Sequence, residues 1–148
     1  MPKIKKYEKW EYSPEGIHYQ FGGNHGLEKE HEFLFFKALS KLPKEIINFS
    51  QDIFFVSNNQ DDLGECFSLR GKASKRYVAI IYLHHSLWNR PLKKIVETVA
   101  HEIAHAYLKH DWDTFPDDGQ KEIGADKLAS KWLGRKVISE SQKALNSR

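Results

Sequence analysis

One cysteine, one methionine and five prolines are all that the 148 residues hold of these types. Each scarcity excludes something. Cys66 has no partner in the chain, so no internal disulfide can form and no oxidising compartment is required. Long apolar runs are missing as well: the longest, "YVAIIYL" at 77–83, is far too short to span a bilayer. The basic start "MPKIKKYEKW" is followed by neither an apolar stretch nor a small-residue cleavage site, so no secretory leader is expected. Charge of one sign is also scarce, with 23 Lys and Arg against 20 Asp and Glu and a formal net charge of +3. That balance lacks the footprint of a nucleic-acid-binding protein, and the basic start reads as a solvated terminus rather than a phosphate-binding arm. The expectation is a soluble, cytoplasmic protein with no membrane or nucleic-acid partner; no residue pattern signals an oligomeric state.

No repeat, low-complexity tract or long linker divides the chain, and its length suits one domain over 1–148, with 1–15 and 135–148 as flexible ends. "GIHYQFGG" alternates and ends in glycines, which suits a short strand or extended segment. "LEKEHEFLFFKALSKL" places Leu27, His31, Leu34, Phe35, Ala38, Leu39 and Leu42 at helical spacing, with Pro43 as a stop. "DIFFVS" at 52–57, "ECFSLR" and "RYVAIIYL" read as three strands separated by "NNQDDLG" and "GKASK". Asn89 can cap a following helix with Pro91 in its first turn, running to about His110. After "DWDTFPDDG", Asp117 and Gln120 resemble a capping box for a last helix over 118–133, with Gly134 placed to end it. Helix, three strands and two helices predict a small α+β domain.

The chemistry is concentrated in "VAHEIAHAYLKHDW". His101 and His105 are four apart, so their imidazoles project from one helix face and can converge on one ion. Glu102 is rotated about 100° from His101, beside such an ion rather than on it, where a general base belongs. His-Glu-x-x-His is a metalloprotease signature for zinc. The same spacing also fits a wet helix face opposite the apolar stripe of Leu92, Val96, Val99, Ile103, Ala106 and Tyr107.

The next helix decides between these readings. Glu122 and Asp126 lead an apolar line continued by Ala129 and Leu133, so two carboxylates should face inward, where a partner or a metal is needed. Folding back across the preceding helix, it would add Glu122 to His101 and His105 as the third zinc ligand, leaving one position for water. Asp126, one turn on, could accept the other ring N–H of a ligating histidine. The alternative pairs these carboxylates with Lys127 or Arg135 at a helix edge. A third ligand at Asp111 is disfavoured: Leu108 stands where that type of site needs a glycine, and Met1 cannot form the required methionine turn. His110 suits a helix C-terminus better than a metal, and Cys66 suits strand packing.

"HEIAH" followed by "EIGAD" resembles the gluzincin zinc metallopeptidases, with HExxH and a downstream ExxAD. Residues 76–134 resemble in particular the ImmA/IrrE-like peptidases and minimal gluzincins. The resemblance implies a zincin-like domain in which Asp126 orients His101 and strand 77–83 forms the cleft rim that binds extended substrate. It implies a zinc-dependent endopeptidase acting on a protein or peptide substrate, with Glu102 as catalytic base and His101, His105 and Glu122 as metal ligands. Such families often place a His or Tyr after the glutamate helix to stabilise the oxyanion. This chain has neither there, which leaves Tyr82, His84, His85 and Tyr107 as candidates. The competing expectation is a latent or non-catalytic zinc-binding interaction module with a protease-like fold.

Overall fold

The structure is a computed structural model and describes residues 17–21, 28–58, 64–70, 77–108 and 118–139. Its elements in chain order are β1 (His18–Phe21), α1 (Glu28–Leu39), α2 (Lys44–Phe49), β2 (Ile53–Asn58), β3 (Gly64–Arg70), β4 (Tyr77–His84), α3 (Leu92–Tyr107) and α4 (Asp118–Leu133). Short 3-10 turns occupy Ser50–Asp52 and His85–Asn89. Helices and strands are mixed in an α+β arrangement, as expected. The sheet, however, has four strands in the order β1-β2-β4-β3 rather than three. The additional strand is "HYQF", which pairs parallel to β2 with His18 opposite Phe54. Parallel neighbours require a crossover, and α1 and α2 form it between β1 and β2.

β2 and β4 are also parallel, whereas β3 runs antiparallel to β4 and lies at the sheet's edge. This corrects the expectation that 77–83 forms a rim. β4 is hydrogen-bonded on both sides and cannot accept an added strand, and the antiparallel edge belongs to β3.

Alternation along the strands sets the core. Ile53, Phe55 and Ser57 pair in register with Ala79, Ile81 and Leu83, and all six are buried. Phe54 on the opposite face is 39% exposed. The buried face packs with Ile95, Val96, Val99, Ala100, Ile103 and Ala106 of α3 in a single core. Phe35 of α1 joins it, its ring 4.8 Å from that of Phe55. Ser57 is the polar exception on the buried face, and it accepts a hydrogen bond from Trp88 Nε1 at 3.0 Å. Among the described residues no helix is long and apolar enough to cross a membrane.

Helix boundaries differ from the reading of the sequence in instructive ways. α1 stops at Leu39, before Pro43, and Pro43 instead stands at the start of the separate helix α2. Asn89 closes the 3-10 turn rather than capping α3, whose N-cap is Pro91, and α3 ends at Tyr107. α4 begins and ends where expected, while Asp117 of the anticipated capping box, His110 and Asp111 lie outside the described residues. The side chain of Cys66 does too.

Candidate metal centre

α3 is apolar toward the sheet, and its other side would be wet if nothing covered it. Residues 99–106 are instead buried all round, including His101, Glu102 and His105. The cover is α4, whose Ala125 and Ala129 are fully buried and small enough for close helix packing. The same α4 stripe carries Glu122 and Asp126. The inward-facing carboxylates therefore meet the polar side of α3, as the spacing predicts.

Three side chains converge there. His101 Nε2 lies 3.0 Å from His105 Nε2, and their rings are perpendicular. Glu122 Oε2 is 2.8 Å from His101 Nε2, and Oε1 is 3.3 Å from His105 Nε2. Glu102 is 4% exposed, and it offers a carboxylate oxygen within 4.8 Å of both imidazoles. On the far side of His101, Nδ1 is 2.7 Å from Asp126 Oδ1. Asp126 Oδ2 in turn accepts hydrogen bonds from the Ser139 N–H at 2.9 Å and its hydroxyl at 3.1 Å.

This geometry has one electrostatic consequence. With Asp126 accepting the Nδ1–H of His101, the neutral ring turns its Nε2 lone pair toward a carboxylate and a second imidazole nitrogen. A ring lone pair and a carboxylate held 2.8 Å apart need a cation between them, either a proton or a metal. Burial, the largest influence on His101, opposes its charge. The hydrogen bonds to Asp126 and Glu122, with the charges of Glu102 and Glu122, overcome it and push the pKa up to about 10. Burial likewise opposes ionisation of Glu122, but the hydrogen bonds from His101 and His105 and their charge hold it well below the usual carboxylate range.

The donor set fits a divalent ion. Tetrahedral coordination with bonds of about 2.0–2.1 Å puts ligand atoms about 3.3–3.4 Å apart. The contacts observed, 2.8 to 3.3 Å, lie at or just inside that spacing. The buried group His101, Glu102 and His105 could hold a metal ion, and Glu122 stands close enough to share it.

The structure thus gathers five of the nine residues singled out from the sequence and leaves four elsewhere. Tyr82 alternates with the core-facing Ile81 and Leu83, which puts it on the sheet face away from α3. His84 caps the 3-10 turn, its Nδ1 accepting from the Ser86 amide at 3.0 Å and paired with Ser86 Oγ at 2.8 Å. The His85 ring lies 6.3 Å from that of His31, which stacks on Trp88. This group sits before α3 begins at Leu92, and His101 is nine residues, about 13 Å, further along the helix. Tyr107 lies between Phe49 and Trp132, at 5.1 and 5.7 Å. It is two residues, about 200°, around the helix from His105. His84, His85 and Tyr107 thus make these contacts away from the cluster.

Ser139 and Ser130 were missed by the sequence reading. Ser130 donates to the Asp126 carbonyl at 2.6 Å and accepts from the Val137 amide at 2.8 Å. The glycine after α4 was the available signal: a chain that reverses at Gly134 must run back along the helix it has just left. Compared with known proteins, the chain matches no family model, no curated protein and no solved structure.

Proposed function

We propose that this chain is a zinc-dependent endopeptidase of gluzincin type, a cytoplasmic hydrolase whose substrate is an extended protein or peptide. The observation that carries the proposal is the convergence of His101 Nε2, His105 Nε2 and the Glu122 carboxylate within 2.8 to 3.3 Å, with buried Glu102 alongside. Nitrogen and oxygen donors of this kind are those zinc accepts, and three protein ligands leave a position open for water.

When bound, the ion supplies Lewis acidity and lowers the pKa of water toward neutrality. His101 and His105 would hold it through Nε2 and Glu122 through its carboxylate. Glu102 accepts a proton from the attacking water and delivers it to the leaving amine nitrogen. Asp126 keeps the proton of His101 on Nδ1, so Nε2 stays available as a donor to the ion. The edge position of β3 among the described strands supports substrate binding by strand addition there, in place of the rim at 77–83.

Replacing Glu102 with Gln tests the assignment. The variant is expected to keep stoichiometric zinc and to lose about 10²–10⁴-fold in the rate of cleaving an unfolded protein. Wild-type cleavage by zinc-loaded Glu102→Gln would sink the mechanism.

A second reading is favoured by the positions of His84, His85 and Tyr107, whose contacts lie away from the cluster. In it the same site serves a latent or non-catalytic zinc-binding module that holds a protein partner. Zinc bound with one exchangeable water and no cleavage of any unfolded protein favours this reading over the enzyme.

A further inference from the structure

The chain after α4 bears directly on the metal cluster. Gly134 adopts φ +68°, the left-handed conformation that ends a helix and reverses the chain. The Arg135 amide reaches back to the Ser130 carbonyl at 3.2 Å. Three anchors then hold residues 135–139 along the two helices. Arg135 Nη1 lies 3.1 Å from Glu97 Oε2 of α3, Val137 is 3% exposed in the core, and its amide donates to Ser130 Oγ. The segment finishes with both donors of Ser139 on Asp126 Oδ2.

We infer that Ser139 is a positioning residue for the metal cluster, acting through Asp126. The inference rests on the metal reading of His101, His105 and Glu122. A carboxylate held only through Oδ1 can swing about its own bond and carry the imidazole with it. Two donors on Oδ2 fix the carboxylate plane, and with it the orientation and tautomer of His101. The relay runs from the backbone and hydroxyl of Ser139, through Asp126 and His101, to the Nε2 atom that faces the ion. Glu97 and Arg135 tie the same segment to α3, so the cluster is held from both helices.

The full chain tests this with Ser139→Ala, Ser139→Thr and a control, Ser50→Ala. Ser50 is fully buried and donates to the Ile46 carbonyl at 2.8 Å, in a turn that contributes nothing to the cluster. Zinc affinity is read by competition with a chromophoric chelator, and the hydrogen bond from His101 Nδ1–H to Asp126 in the metal-free chain by the NMR shift and exchange rate of that proton. Loss of a residue that orients a metal ligand weakens metal binding about 10–100-fold. Ser139→Ala removes one of two donors a step further out, so about 3–10-fold is expected, with faster exchange of the Nδ1 proton. Ser139→Thr restores both, and Ser50→Ala lowers thermal stability while binding zinc as the wild type does. Unchanged affinity and unchanged exchange of the Nδ1 proton in Ser139→Ala overturn the inference, as does an equal loss of affinity in Ser50→Ala. A wild-type chain that takes up no zinc overturns the metal reading, and the exchange of the Nδ1 proton then decides the role of Ser139 by itself.

Discussion

At the scale of single residues, His101 is held by Asp126 on one nitrogen and faces Glu122 and His105 on the other. Replacing Asp126 with Asn keeps the shape but loses the charge that holds the Nδ1 proton. Zinc affinity should fall about 10–100-fold, measurable by chelator competition. pH acts on the same atoms. In the metal-free protein the folded-state pKa of His101 is raised from its ordinary value of 6.5 to about 10. Its contribution to stability is therefore fully present below pH 6.5 and lost as pH rises toward 10. The depressed Glu122 has the opposite sign, its contribution being present above its ordinary value of 4.5 and lost as pH falls. Zinc bound at the proposed site would compete with the proton on His101, so its affinity should strengthen through the window in which the metal-free protein weakens. Thermal melts with and without zinc from pH 6 to about 10 should show their midpoints diverging, and parallel curves would contradict the cluster's assigned protonation.

At the scale of elements, the seam between α3 and α4 decides whether the ligands meet. Ala129 is fully buried there, and Ala129→Leu inserts bulk that a close-packed core cannot absorb. A loss of about 1–3 kcal/mol is expected in denaturant unfolding, with zinc binding weakened in the same variant because Glu122 rides on the displaced helix. The site was legible in the sequence because its spacing is local: i and i+4 share a face of any helix, and a carboxylate at the head of an apolar stripe must turn inward. The sheet was less legible, because strand order is fixed by hydrogen bonds between distant segments. One signal was available. "YVAIIYL" is nearly continuous in apolar residues, the mark of a strand covered on both sides, while "GECFSLR" mixes polar with apolar. Weighed that way, β4 is an inner strand and β3 the edge.

At the scale of the whole molecule, the core of α1, α3 and the inner sheet face is continuous without any ion, joining Phe35, Phe55, Ile81, Leu87, Ile95 and Ile103. The metal-free protein should therefore stay folded, unlike small domains that depend on zinc to fold. Zinc at 100 times its dissociation constant contributes about 2.7 kcal/mol, which for a chain of this size raises the melting temperature by about 5–10 °C. A calorimetric scan before and after chelation measures it, and collapse to an unfolded chain on chelation would contradict this view of the core.

Residue type and short-range spacing picked out the groups that the structure brings together: two imidazoles one turn apart, a glutamate between them, and two carboxylates on the following helix. These follow from the geometry of a single helix, which any stretch of sequence carries with it. Tertiary structure alone decided that α4 covers the polar side of α3, that β3 rather than β4 is the outer of the two among the described strands, and that Ser139 returns to hold Asp126. Each of these depends on segments distant along the chain coming together, and burial of the shared core is what brings them there.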